Sequence, residues 1–134
     1  MNGRFPITLH IMTLLTKTDS VQSSEYLAGS INVNAVLVRK ELSNLIRNNL
    51  VASKSGKNGG YKLSKPATQI SLADIYNAVK QGAILGQPRN RPNPACPIGK
   101  QINLHLYDLY EEIDTALIQR LGSKNLAEFC AKFD

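Results

Sequence analysis

The chain has 134 residues, 43% of them hydrophobic, with 16 Lys and Arg against 10 Asp and Glu for a formal net charge of +6. That length and composition fit one globular domain and exclude a disordered chain, and no run approaches the roughly 18 apolar residues of a membrane span. The excess charge is confined to one half: residues 1–65 hold nine Lys/Arg and three Asp/Glu, whereas residues 66–134 hold seven of each, so the first half is suited to a polyanionic partner.

Apolar spacing and capping residues give the elements in chain order. Ile7, Ile11, Leu14 and Leu15 recur at helical spacing and predict a helix over residues 4–17, with Pro6 in the first turn, where its missing N–H costs nothing. Polar interruptions at Thr8, His10 and Thr13, and the lack of a small-residue cleavage site, make this the first helix of a cytoplasmic protein rather than a secretion signal. His10 is expected to pack on its apolar face. Ser23 or Ser24 can cap a short helix carrying Tyr26, Leu27 and Ile31. Asn34 then caps a third helix reaching about Asn48, with Leu37 or Val38, Leu42, Leu45 and Ile46 on the buried face and Arg39, Lys40, Ser43 and Arg47 projecting elsewhere. Two helices joined by a tight polar turn, the second with a basic exposed face, form a helix-turn-helix unit.

The next segment, Val51 to Leu63, reads "VASKSGKNGGYKL". A nucleotide-binding phosphate loop needs G-x-x-x-x-G-K-[ST] opening a helix; here the lysine stands between the glycines and a strand follows. Asn58-Gly59 is the preferred pair for a two-residue hairpin turn with positive φ at both positions, and Gly56 and Gly60 relax the backbone on either side. Lys54, Lys57 and Lys62 decorate this hairpin. Directly after a helix-turn-helix with a basic helix, it predicts a wing, and the fold class is mainly α with a small two-stranded β-wing.

Ser71 caps a further helix carrying Ala73, Ile75, Tyr76 and Val79, and residues 82–97, rich in Gly and Pro, read as a loop. A long helix follows from about Ile98 to Leu121. Its stripe of Ile102, Leu106, Leu109, Ile113 and Leu117 is wide enough for a helix partner. Gly122 stops it, and Ser123 is expected to cap a last short helix with Leu126, Phe129 and Phe133. The expected organisation is a winged helix-turn-helix DNA-binding domain over 1–80, a flexible loop over 81–97, and dimerisation helices over 98–134.

The run "RKELSNLIRNNLVASKSGKNGGYKLSKP", followed by "ISLADIYNAV", resembles the Rrf-type family of bacterial winged-helix regulators. The family includes the iron–sulfur cluster regulator, the nitric-oxide-sensing repressor and the cysteine-metabolism repressor. Leu45, Leu50–Val51, Ser55–Gly56, Gly59–Gly60–Tyr61, Leu63 and Ile70 through Val79 carry the likeness, which extends over nearly the whole chain; Asn49 stands where the family usually has glycine. The resemblance implies a homodimer on a roughly palindromic operator, with the long helices of the two subunits crossing, and the expected function is repression of transcription.

Phosphate contacts position such a protein and base contacts specify sequence. Lys54, Lys57, Lys62 and Asn58 in the wing are expected at phosphates, with the amide end of Asn34 as a further contact. Asn32, Asn34, Val36, Arg39 and Lys40, at the start of the third helix, are expected at base edges, Arg39 suiting guanine and asparagine suiting adenine. Iron–sulfur members of the family hold their cluster with three loop cysteines, whereas this loop has only Cys96, so neither cofactor nor metal is expected. Cys96, with Arg89, Arg91 and Lys100 nearby in sequence, could have a lowered thiol pKa and sense redox state, or the loop could hold a small effector. His105 is expected to face solvent or the dimer seam, and Cys130 to be buried and inert. No catalytic constellation is present, and Glu111, Glu112 and Asp114 read as solvated charge, so the chain is not expected to be an enzyme. The competing class is a protein-interaction module whose basic winged helix meets an acidic partner.

Overall fold

The computed structural model describes residues 3–133. The elements are α1 (Arg4–Thr16), α2 (Ser24–Ile31), α3 (Ala35–Arg47), β1 (Val51–Lys54), β2 (Gly60–Leu63), α4 (Leu72–Val79), α5 (Pro97–Gly122) and α6 (Leu126–Cys130), with single 3-10 turns at Ala67–Gln69 and Ala131–Phe133. The fold is mainly helical with one two-stranded antiparallel sheet, as the sequence predicts.

Side-chain caps set most helix starts. Ser23 Oγ accepts the Tyr26 N–H at 3.1 Å. Ser71 and Asp74 form a reciprocal capping box, with bonds of 3.0 and 2.9 Å. The last short helix is capped by Asn125, whose Oδ1 accepts from the Glu128 N–H at 2.8 Å, and not by Ser123, which terminates α5. Asn49 lies just past α3 with φ 61°, and the N–H groups of Asn49 and Leu50 bond back to the carbonyls of Ile46 and Leu45. That is the left-handed helix stop where glycine is favoured and asparagine tolerated, so Asn49 can stand at the position where the resemblance implies glycine.

The core joins Ile11, Met12 and Leu15 of α1 to Leu27 of α2 and Val38, Leu42 and Leu45 of α3, with Ile70 and Ile75 behind them. Leu126 and Cys130 of α6 complete it. The Leu126 N–H donates to the Ile70 carbonyl at 2.8 Å and the Leu72 N–H to the Lys124 carbonyl at 2.9 Å, so the C-terminal segment closes the same core as the first 80 residues. His10 is exposed rather than packed, with Nε2 3.3 Å from Ser30 Oγ.

Glu41, in the middle of α3, is 1% exposed. Its carboxylate takes a two-pronged bond from Arg4, Nε to Oε2 at 2.9 Å and Nη2 to Oε1 at 2.9 Å. This geometry satisfies a buried carboxylate well and fixes α3 against the start of α1.

Candidate nucleic-acid interface

The turn between α2 and α3 is made by Asn32, which takes the left-handed conformation (φ 64°, ψ 49°) and donates its N–H to the Ala28 carbonyl at 2.8 Å. Asn34 then starts α3, its Oδ1 accepting the Val36 N–H at 2.7 Å. That bond occupies the acceptor half of the Asn34 amide and leaves its Nδ2 to donate outward, which suits a phosphate better than the two-pronged pairing of adenine. Val38, Leu42 and Leu45 face the core, so Val36, Arg39, Lys40, Ser43 and Arg47 form the exposed face of α3. Asn32 and Asn34 are exposed beside them.

The wing pairs Val51 with Leu63, Ala52 with Lys62, Ser53 with Tyr61 and Lys54 with Gly60. Paired residues share a face and alternate along the strand, so Lys54 and Lys62 lie on the face opposite the buried Val51. Lys57 and Asn58 are exposed at the tip. The expected two-residue turn is not formed. Five residues, Ser55 to Gly59, connect the strands; neither Asn58 nor Gly59 has positive φ, and the left-handed residue is Gly56 at 104°. The Gly59 N–H closes the loop onto the Gly56 carbonyl at 3.0 Å. Gly59 is needed for space, because a Cβ there would collide with the Lys54 carbonyl. At Gly60 a Cβ would sit 2.7 Å from the Gln22 carbonyl oxygen. Gln22 and Tyr61 exchange backbone bonds of 2.8 and 2.9 Å, which pins the outer end of β2 to the segment before α2. A shallow cleft of about 370 Å³, lined by Ser23, Glu25, Lys54, Ser55, Gly59 and Tyr61, runs between the wing and the start of α2.

α5 is a 26-residue helix with no buried residue. Ile102, Leu109 and Ile113 are exposed, as is Ile98, while Leu106 and Leu117 are half-buried. Lys80 and Asp114, 3.4 Å apart, link the end of α4 to α5. Burial pushes the Tyr76 phenol up, and the Asp114 charge adds to it. The loop before α5 and the helix itself enclose a cleft of about 280 Å³ lined by Ile84, Leu85, Tyr107, Tyr110, Ile113 and Asp114.

Cys96 is fully exposed and forms the N-cap of α5, its Sγ accepting the Gly99 N–H at 3.5 Å. Its thiol is held below the usual cysteine range by the backbone N–H groups of Gly99 and Ile98, and not by the neighbouring arginines. Cys130 is buried in the core. Among the described residues no group of three or more His, Cys, Asp and Glu is placed to hold a metal ion, and no helix is long and apolar enough to cross a membrane.

Comparison with known proteins agrees with this architecture. YwnA of Bacillus subtilis (strain 168), assigned as an HTH-type transcriptional regulator, is 35% identical over 128 residues, covering 96% of this chain and 95% of YwnA. A crystal structure of a protein from Lactobacillus plantarum assigned as a transcriptional regulator superimposes with a TM-score of 0.79 at 26% identity, covering 99% of this chain and 91% of that one. CymR, the global cysteine regulator of B. subtilis, shares the fold with a TM-score of 0.74 at 23% identity, covering 100% of this chain and 98% of its own. The family profile that matches residues 1–132 is Rrf2, described as an iron-dependent transcriptional regulator. The donors of this chain do not fit an iron–sulfur cluster held in the loop, since Cys96 is the single thiol there and Cys130 lies in the core. With its whole length matched and its helix-turn-helix and wing in place, the chain belongs to the Rrf2 family of DNA-binding transcriptional regulators.

Proposed function

We propose that the protein is a homodimeric repressor that acts in the cytoplasm on a roughly palindromic operator in double-stranded DNA. α3 of each subunit enters the major groove of one half-site. Asn32, Val36, Arg39 and Lys40 face base edges, and Asn34 turns its free Nδ2 to a phosphate or an acceptor on a base. Lys54, Lys57, Asn58 and Lys62 meet backbone phosphates, with Gly56, Gly59 and Gly60 allowing the main chain to come close. Residues 1–80 do the reading, residues 81–97 form the regulatory loop, and α5 within 98–134 supplies the dimer seam through Ile102, Leu109 and Ile113, with the half-buried Leu106 and Leu117 bordering it on the side toward the chain's own body rather than at its centre. The observation that carries this reading is the exposed face of α3, cationic at Arg39, Lys40 and Arg47, beside a hairpin whose outward face bears Lys54 and Lys62.

Arg39→Ala is expected to lower operator affinity by about 1–3 kcal/mol and to relax specificity at one base step. Lys57→Ala is expected instead to weaken binding to all duplexes alike and to reduce the log–log salt slope by about one. Gel-shift titrations over a range of salt separate the two. Unchanged operator binding by Arg39→Ala would mean that α3 is not the base reader.

Regulation belongs to the loop, through oxidation of Cys96 or a small effector in the cleft against α5. A thiol whose pKa is lowered has more thiolate at neutral pH, so its alkylation rate should rise with a midpoint below the ordinary value of about 8.5. A midpoint at the ordinary value, measured against pH with iodoacetamide, would remove the redox role.

A further inference from the structure

The basic surface carries one carboxylate that works against it. Between residues 20 and 65 the acidic residues are Glu25 and Glu41, and Glu41 is buried against Arg4. Glu25, by contrast, has a side chain 73% exposed on the cleft between α2 and the wing. A negative charge there repels phosphate whatever the DNA sequence. Glu25 Oε1 lies 3.5 Å from Arg39 Nη1. Ser24 closes a triangle: its Oγ accepts from Arg39 Nη1 at 3.3 Å and its hydroxyl donates to Glu25 Oε2 at 3.3 Å. Ser24 is itself buried, so the hydroxyl at the apex has a fixed position. Both contacts that Arg39 makes fall on Nη1. Arg39 Nε and Nη2 meet no partner among the described residues, which leaves the Nε–Nη2 edge of the guanidinium open.

We propose that Glu25, seated by Ser24, is a positioning residue for base readout by Arg39, holding its guanidinium from one side so that the open edge is presented to a guanine. The proposal rests on the reading of Arg39 as a base-contacting residue. A free arginine loses rotamer freedom when it docks, and a buttress that has already ordered it removes part of that loss, worth about 3–10-fold in affinity. The open edge offers two parallel donors, the pattern that matches guanine O6 and N7. An exposed ion pair alone is weak; the fixed hydroxyl of Ser24 adds the third contact that defines the geometry. Because the charge of Glu25 repels every sequence alike, its net effect appears in discrimination rather than in overall affinity.

The test uses a duplex selected from a randomised library by the wild-type protein, its single-base variants, and a scrambled duplex of the same length. Affinities are measured for wild type, Glu25→Gln, Arg39→Ala and the double variant. Glu25→Gln should bind the scrambled duplex at least as tightly as wild type, while the ratio of selected to scrambled affinity falls about 3–10-fold. That loss should be confined to the base step at which Arg39→Ala loses discrimination, and Glu25→Gln should leave the ratio unchanged in the Arg39→Ala background. If Arg39→Ala loses discrimination but Glu25→Gln keeps or raises the wild-type ratio, the positioning role is overturned and the reading of Arg39 stands. Equal weakening on both duplexes by Glu25→Gln also overturns it, as a general structural effect. Full discrimination by Arg39→Ala overturns the reading of Arg39 and the positioning role together.

Discussion

Leu109→Arg is expected to convert the proposed dimer to a monomer and to weaken binding to the proposed operator by about 100-fold or more. Leu109 sits on α5, 44% exposed in the single chain, with Ile98, Ile102 and Ile113 exposed along the same helix. At 3.6 residues per turn these four lie on one side. The half-buried positions Leu106, Tyr110, Asp114, Leu117 and Leu121 lie on the side that turns toward the chain's own body. A contiguous exposed apolar stripe on a long helix is the mark of an interface. Arginine at its centre would bury an unpaired charge in the seam, which is strongly unfavourable. Once the subunits separate, the second half-site no longer benefits from the effective concentration that the first provides, a factor on the order of 100 to 10,000. Leu109 stands outside the hydrophobic core, so the variant should keep its helical circular dichroism. Sedimentation equilibrium would show half the mass. A dimeric Leu109→Arg with wild-type operator affinity would mean that α5 is not the seam.

Arg4→Met is expected to destabilise the fold by about 3–5 kcal/mol, lowering the melting temperature by roughly 10–15 °C in a domain of this size. Removing Arg4 strands the Glu41 carboxylate in a site that is 1% exposed. A carboxylate there has lost its water and would have lost its two-pronged partner as well. The double change Arg4→Met with Glu41→Leu should recover much of the loss, because an apolar pair of similar volume does not strand a charge. Differential scanning calorimetry on the two variants checks this. A single variant melting within about 2 °C of wild type would show that water reaches Glu41. Glu41 lies between Lys40 and Leu42 on α3, so the same pair also holds the proposed reading helix in place.

Local patterns made most of this architecture legible in the sequence. The buried face of α3, the Asn34 cap and the Ser71 start of α4 follow from apolar spacing and capping chemistry, and the wing follows from a glycine-rich, lysine-bearing hairpin placed after α3. The hairpin loop departs from the sequence expectation because Asn58-Gly59 favours a tight turn only when the strands run up to it. Here the register ends at Lys54 and Gly60, and the left-handed position passes to Gly56. Asn125 rather than Ser123 caps α6 because α5 runs on through Gly122, leaving Ser123 to end it. His10 points outward although its neighbours pack inward. The two contacts with most influence on the proposed interface were invisible for one reason. Arg4 and Glu41 are 37 residues apart, Glu25 and Arg39 stand on different helices, and each of the four looks like solvated charge until the fold brings it to its partner.

Footprinting the wild-type protein on the selected duplex, together with the mass of the complex, tests the central claim most directly. A homodimer reading a palindromic operator predicts two protected segments related by two-fold symmetry, about one helical turn or a multiple apart, with two chains per duplex. A single protected segment with one chain bound, or protection that does not depend on sequence, would contradict it.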